Sequence, residues 1–207
     1  MTHLDEGLGA LLARAGAGAG RKPPVERWNP PFCGDIDMRI AANGSWHYLG
    51  SPIGREALVR LFASVLRHDE DGCHYLVTPV EKVRIRVDDA PFLAVELHAE
   101  GQGAAQRLTL RTSVGDVVVA GPDHRLRFVV EPETGGLKPY VRVRGRLDAL
   151  LARPLLYELA GLFEDRAGEV GVWSDGVFFA LPPAAVAALS GGLAEAGPGV
   201  GAGESAA

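Results

Sequence analysis

The segment Ile53-Gly-Arg-Glu-Ala-Leu-Val-Arg-Leu61 decides the interpretation of the fold, because a later segment, Leu151-Ala-Arg-Pro-Leu-Leu-Tyr-Glu-Leu159, matches it position by position. Apolar type is kept at four positions, and Arg55 aligns with the identical Arg153. Strand-like, turn-rich sequence flanks both segments. We therefore predict a unit of hairpin, helix and strand that the chain uses twice. Coincidence is the alternative, since short apolar helices resemble one another.

The first of these helices is predicted over Ser51 to Arg67. Ser51 is suited to cap it, and Pro52 falls where a missing amide is harmless. Five apolar side chains follow at helical spacing, so one face is expected to be buried. They are Leu58, Leu61, Phe62, Val65 and Leu66, with Ile36, Ile40 and Leu76 as strand partners. The second helix is expected to be centred on Leu155 to Leu162.

Alternating apolar and polar residues, separated by turn residues, predict the strands. A hairpin turns at Asn43-Gly44 between strands at 36–41 and 45–50, and a third strand lies at 73–78. Strands near the second helix are expected at 126–130, 140–145, 169–173 and 177–181, the last two joined at Asp175-Gly176. The strands between the two units are expected at 80–87, 92–100, 106–113 and 116–120. The fold class is α+β with mostly antiparallel strands, because strands and helices do not alternate regularly.

Composition divides the chain into four segments. A flexible arm is expected at 1–24, an N-terminal α+β domain at 25–79, a C-terminal α+β domain at 80–190 and a disordered tail at 191–207. The arm contains an Ala/Gly linker and the tail has almost nothing to bury, so neither is expected to hold regular structure.

The overall composition is typical of a soluble globular protein. Of the 207 residues, 47% are hydrophobic and 23% charged, with 26 acidic against 21 basic side chains, so general binding to nucleic acid is not expected. No apolar run reaches the roughly 18 residues of a membrane span, and no secretory signal begins the chain. Cys33 and Cys73 lack further cysteines at metal-ligand spacing, which favours a reduced, cytoplasmic protein. Dinucleotide, phosphate-loop and hydrolase motifs are absent, so no cofactor is expected.

Two rows of basic residues are candidates for an anion site. Strand alternation places Arg142, Arg144 and Arg146 on one face, and Lys82, Arg84 and Arg86 form a second such row. If both rows lie in one sheet, they can cradle a phosphate, because guanidinium groups bind its oxygens bidentately. The alternative is a solvated sheet face with scattered ion pairs.

Aromatic residues lie beside one further arginine. Trp46 and Tyr48 share a strand face, with Arg55 close by in the following helix, which suits a base or another planar ring. Arg55 and Arg153 occupy the same place in the two presumed repeats and are expected to converge on one anion if the halves face each other. The alternative for the aromatic residues is a place in the core under the helix.

Asp35 and Asp37 are weak candidates for a metal site. Two carboxylates two residues apart on a strand can hold a Mg²⁺ ion that bridges phosphates. An exposed strand beginning explains the same pattern without a metal.

Several segments of the chain closely resemble a bacterial family catalogued as domain of unknown function 1285. They include Cys33-Gly-Asp-Ile-Asp-Met-Arg-Ile-Ala41, Gly44-Ser-Trp-His-Tyr-Leu-Gly-Ser-Pro-Ile-Gly-Arg55, Thr78-Pro-Val-Glu-Lys-Val83, Gly121-Pro-Asp-His-Arg-Leu-Arg-Phe128 and Lys138-Pro-Tyr-Val-Arg-Val-Arg144. The resemblance covers nearly the whole body. It implies a two-part α+β protein with repeated motifs, whose C-terminal, barrel-like part is superficially similar to a pleckstrin-homology domain. It also implies a nucleotide-like ligand between the parts and a signalling role.

The preferred hypothesis is a binding or regulatory module, rather than an enzyme, that holds a small anionic ligand between its two domains. The residues expected to bind it are Trp46, Tyr48, Arg55, Lys82, Arg84, Arg142, Arg144 and Arg153. One alternative is a metal-assisted phosphate-ester hydrolase that uses Asp35 and Asp37. A second alternative is a protein-interaction domain without a small ligand.

Overall fold

The computed structural model describes residues 22–187, which form three β-sheets and two α-helices ahead of a short helical segment at 183–187. The expected α+β class, mostly sheet with few helices, is confirmed. The expected tail and all but residues 22–24 of the expected arm lie outside the described residues. No helix in the described range is both long and apolar enough to cross a membrane.

The first half of the chain builds a six-stranded sheet and packs one helix against it. Its elements are β1 (Phe32–Ile40), β2 (Trp46–Tyr48), β3 (Ser51–Pro52), α1 (Glu56–Ser64), β4 (Leu66–His68), β5 (His74–Val77) and β6 (Lys82–Val87). The strand order is β3-β2-β1-β6-β5-β4. β1 and β6 are parallel, and the other pairs are antiparallel.

The second half builds another six-stranded sheet, then a helix, then a three-stranded sheet. Its elements are β7 (Phe92–Glu100), β8 (Arg107–Thr112), β9 (Val117–Val119), β10 (Leu126–Val130), β11 (Leu137–Arg144), β12 (Leu147–Leu151), α2 (Arg153–Ala160), β13 (Glu164–Arg166), β14 (Glu169–Ser174) and β15 (Val177–Ala180). The second sheet has the order β10-β11-β12-β7-β8-β9, with β12 parallel to β7. The third sheet is the antiparallel series β13-β14-β15.

The strands around the two helices bear on the predicted repeat. The strands β1–β3 precede α1 and β4–β6 follow it. In the same way, β10–β12 precede α2 and β13–β15 follow it. The pairing differs, since β6 joins β1, whereas β15 is an edge of the third sheet. The duplication therefore stays a prediction. The first sheet also includes β6, so it continues past residue 79, where the sequence analysis places the domain boundary.

The helix expected from Ser51 to Arg67 is shorter than predicted. Ser51 and Pro52 form β3 and pair with Tyr48 and His47 through a tight turn at Leu49-Gly50, where both residues have positive φ. The cross-strand pairing overrides the local capping signal, and α1 begins at Glu56, where no described side chain caps it. The helix ends at Ser64, so Leu66 belongs to β4.

The phase of the predicted apolar face is confirmed. Phe62, Val65 and Leu66 are completely buried, as are their expected partners Ile40 and Leu76. Leu58, Leu61 and Ile36 are partly buried against the same core. Trp46 of β2 stacks on Phe62 with ring centroids 6.2 Å apart. The first sheet and α1 thus share one core.

Candidate functional site

A cavity of about 670 Å³ lies where β10–β12 of the second sheet approach β15 of the third sheet. We call it the arginine cavity. Its volume falls in the usual range for ligand pockets, about 300 to 1,000 Å³. The residues that line it are Pro122, Asp123, Arg125, Leu126, Arg127, Phe128, Arg142, Asp148, Phe178, Phe179, Ala180 and Pro182.

Pairing of three neighbouring strands brings two of its arginines onto one carboxylate. Arg142 donates from Nε to Asp148 Oδ1 at 2.5 Å, and Arg127 donates from Nη2 to Asp148 Oδ2 at 3.2 Å. Arg127 also lies over the ring of Tyr140, 4.3 Å from its centroid. Arg142 donates a further hydrogen bond from Nη1 to the carbonyl oxygen of Gly145. These contacts hold both guanidinium groups in place at the cavity wall.

Arg125 differs from these two arginines. Its side chain is exposed, and its guanidinium group makes no hydrogen bond or ion pair with any described residue. The lining holds three guanidinium groups against two carboxylates, those of Asp123 and Asp148, which leaves one excess positive charge. The electrostatic character of the arginine cavity therefore favours an anion.

One aromatic ring completes the wall on the β15 side. Phe178 is half-buried and lies 5.2 Å, centroid to centroid, from Trp173. Arg166 covers both rings, 5.3 Å from the Trp173 centroid and 5.8 Å from that of Phe178. Gly171 leaves room for the ring, since a Cβ atom there would come within 2.8 Å of it. Phe178 thus presents a fixed apolar surface beside the guanidinium groups.

A second cavity, about 660 Å³, lies between the two halves, where the β4–β5 turn approaches the β11–β12 turn. It is lined by Glu26, Arg67, His68, Asp69, Glu70, Asp71, Gly145 and Arg146, with four carboxylates and two guanidinium groups. The excess of negative charge disfavours an anion here. This acidic cavity contains none of the eight residues that the sequence analysis assigns to the ligand.

The two basic rows do not share a sheet, which corrects one premise of the sequence analysis. β6 lies in the first sheet and β11 in the second. Every member of the β6 row has a carboxylate partner, because β1 and the adjoining turns carry aspartates at matching positions. The nitrogen–oxygen distances are 3.0 Å for Lys82 and Asp69, 2.5 Å for Arg84 and Asp35, and 3.5 Å for Arg86 and Asp88.

The β11 row divides among three places. Arg142 lines the arginine cavity, and Arg146 pairs with Glu70 across the acidic cavity at 2.7 Å. Arg144 is mostly buried, donates to Asp116 Oδ2 at 2.6 Å and to the carbonyl oxygen of Ala63, and lies over the Phe92 ring. Burial lowers the pKa of Arg144 to about 10. A bulge between Arg142 and Arg144 accompanies this separation.

The predicted aromatic residues lie around α1. Trp46 is only 2% exposed and belongs to the core, while Tyr48 is partly buried. Arg55 is exposed and immediately precedes α1. None of these side chains lines the arginine cavity.

The two arginines of the presumed repeats have separate surroundings. Arg153 is exposed at the start of α2, where its Nε lies 3.4 Å from Tyr157 Oη. Within residues 22–187, no recorded contact gives Arg55 and Arg153 a common partner.

The candidate metal residues are exposed on β1, where Asp35 pairs with Arg84. Across the described part of the chain, no three His, Cys, Asp or Glu side chains are grouped so as to hold a metal ion.

Sequence reasoning missed Arg125, Arg127 and Phe178. The alternation Arg125-Leu126-Arg127-Phe128 carries the same signal as the two rows that were selected. Phe178 has no comparable signal, because only tertiary structure brings β15 to β10.

Comparison with known proteins assigns both halves of the chain. A model described as the N-terminal domain of DUF1285, a domain of unknown function, matches residues 23–90, and a model of the C-terminal domain of DUF1285 matches residues 91–181. This division falls between β6 and β7. No curated protein matches the chain.

Two solved structures are similar to this one. A DUF1285 family protein from Silicibacter pomeroyi DSS-3 shares 53% sequence identity, with a TM-score of 0.78, over 83% of this chain and 93% of that chain. A DUF1285 family protein from Shewanella baltica OS155 shares 30% identity, with a TM-score of 0.47, over 60% of this chain and 90% of that one. The two domain models and the Silicibacter relative establish that the chain belongs to the DUF1285 family.

Proposed function

We propose that the protein is a binding or regulatory module that holds a small anionic ligand in the arginine cavity. One observation carries the proposal: Arg125 lines a cavity that Arg127 and Arg142 also line, and its guanidinium group has no partner among the described residues. A guanidinium group beside like charges gains free energy when an anion binds, because charge-assisted hydrogen bonds to phosphate or carboxylate are strong.

The shape of the cavity suits a ligand with a planar part. Phe178 lines the same cavity as the guanidinium groups, and its ring packs against Trp173 and Arg166. A nucleotide-like molecule, which the family resemblance also implies, offers phosphate oxygens to Arg125 and a ring to Phe178. Reversible binding of such a ligand is the basis of the signalling role that belongs to this proposal.

The ligand position differs from the one expected between the two domains. Of the residues predicted to bind it, Arg142 alone lines the arginine cavity. Lys82, Arg84 and Arg144 already have carboxylate partners that an incoming anion must displace. Roles for them and for Trp46, Tyr48, Arg55 and Arg153 remain predictions.

Several finer expectations remain part of the proposal. A cytoplasmic location agrees with the free thiols of Cys33 and Cys73. Similarity of the C-terminal domain to a pleckstrin-homology barrel stays a prediction. The hydrolase alternative has less support, because Asp35 and Asp37 do not line the arginine cavity.

Calorimetric titration with pyrophosphate and a panel of nucleotides tests the proposal. Arg125→Ala is expected to weaken binding by about tenfold to a hundredfold, the value of one charge-assisted hydrogen bond. Arg60→Ala is the matched control, since Arg60 is an exposed arginine on α1 paired with Glu56. Equal affinities for the wild type and Arg125→Ala would contradict the assignment.

A further inference from the structure

Among residues 22–187, β10 has a strand partner on one side only, and residues of β10 line the arginine cavity. Arg142 N donates to Arg125 O at 3.0 Å, so Arg125 and Arg142 form a hydrogen-bonded pair that continues the β10–β11 ladder. Alternate residues of an antiparallel strand direct their backbone groups to opposite sides. The backbone N–H and C=O groups of Arg127 therefore point towards β11, while those of Leu126 and Phe128 point away from it.

β15 has the same property on the opposite wall. Leu181 N donates to Val170 O at 2.8 Å, which fixes the phase of the β14–β15 ladder. The backbone N–H and C=O groups of Phe179 consequently point towards β14, whereas those of Phe178 and Ala180 point away from it. Within residues 22–187, neither edge pairs with another strand. Both edges line the arginine cavity.

The first half of the chain shows how such a gap is closed. There β1, the first of the three strands before α1, pairs in parallel with β6, the last of the three strands after it. In the second half, β10 and β15 hold the corresponding places around α2, but they belong to different sheets. Proline and charged residues at open edges can serve merely to prevent unwanted pairing, and Pro122 and Arg125 before β10 and Pro182 after β15 fit that explanation. That explanation does not account for a cavity that residues of two open edges line.

We propose that the arginine cavity accepts an extended segment of a partner protein, which adds as a strand to the open edge of β10. The positive charge of Arg125 and Arg127 indicates which residues the partner segment contains. A residue paired across from Arg125 or Arg127 places its side chain on the arginine face, and the residue between them places its side chain on the buried face of Leu126 and Phe128. The matching segment therefore alternates acidic and apolar residues.

This inference goes beyond the proposed function. A small anion and the strand use the same guanidinium groups of Arg125 and Arg127, so they exclude each other. Binding of the small anion then regulates access of the partner segment.

The test uses a fluorescein-labelled, end-capped peptide with the repeat Glu-Val-Glu-Val-Glu-Val, measured by fluorescence anisotropy with the full chain. The control peptide has the same composition in blocks, Glu-Glu-Glu-Val-Val-Val, and a third peptide replaces glutamate with lysine. The alternating acidic peptide is expected to bind at least tenfold more tightly than either control. Arg125→Ala is expected to weaken it about tenfold, and Arg60→Ala is expected to leave it unchanged.

Amide hydrogen exchange, resolved by NMR, locates the peptide. The amides of Leu126 and Phe128 are expected to exchange more slowly in the complex, while that of Arg127, already bonded to β11, changes little. Equal binding of alternating and block peptides overturns the strand proposal, as does protection elsewhere. If pyrophosphate binds through Arg125 and the alternating peptide does not bind, the strand proposal fails and the proposed function stands. Failure of both ligands refutes both.

Discussion

Arg144 of β11 and Asp116 of the β8–β9 turn form a largely buried ion pair, with the arginine side chain 22% and the aspartate side chain 5% exposed. Arg144 also donates to the carbonyl oxygen of Ala63 at the end of α1, so one side chain ties the first half to the second. Lys22 reaches the other oxygen of Asp116, and burial, assisted by the charge of Arg144, lowers the pKa of Lys22 to about 8. Arg144 therefore contacts both halves of the chain and a buried carboxylate.

Arg144→Ala is therefore expected to lower the free energy of unfolding by about 3 to 5 kcal/mol, because the substitution leaves the carboxylate of Asp116 buried with a weakened set of partners. Urea denaturation measures the change. Arg84→Ala is the matched control, since Arg84 pairs with Asp35 in an exposed contact of the kind that contributes about 0 to 1 kcal/mol. A small loss for Arg144→Ala, comparable to that of the control, would show that the pair does not hold the halves together.

Phe62 is the second stability test, because the sequence analysis and the structure agree on its burial. It has no exposed surface and stacks on Trp46. Phe62→Ala is expected to cost about 3 to 5 kcal/mol of unfolding free energy, from lost apolar contact and the cavity that remains. Leu58→Ala, at a partly buried position of the same helix, is expected to cost less. Equal losses at the two positions would contradict the observed orientation of α1.

Local patterns account for what the sequence predicted well. The spacing of Leu58, Leu61 and Phe62 is a property of one helix, and the strands β7 and β10 have the bounds expected from alternation and turns. Asp175 and Gly176 both adopt positive φ, as a tight hairpin turn requires. Each of these features depends on residues within a few positions of one another.

Long-range pairing accounts for what the sequence missed. Ser51 looked like a helix cap, but it pairs with Tyr48 across a turn whose first residue, Leu49, carries no turn signal. Arg144 belongs to a predicted surface row, but its partner Asp116 lies 28 positions away. The arginine cavity needs β10, β12 and β15 together, and no local pattern brings three such distant strands to one place.

The stacked histidines of β4 and β5 are expected to make the stability of the chain depend on pH. The rings of His68 and His74 lie 4.3 Å apart at an angle of 10°, and His68 Nδ1 is 3.1 Å from the carbonyl oxygen of Arg146. Burial, assisted by the neighbouring His68, lowers the pKa of His74 from 6.5 to about 4. Between these two pH values the unfolded chain binds a proton at this position that the folded chain does not.

The stabilisation from neutral His74 is therefore fully present above about pH 6.5 and is lost progressively as the pH falls towards 4. His74→Phe keeps a ring against His68 and removes the titration, so the free energy of unfolding should fall less steeply with decreasing pH in this interval. The difference in slope is at most about 1.4 kcal/mol per pH unit, the limit for one proton. Urea denaturation at several pH values from 7.5 to 4 measures it.

His98→Phe is the control, because His98 is exposed beside Glu100. Parallel slopes for the wild type and His74→Phe would mean that His74 titrates alike in the folded and unfolded chains.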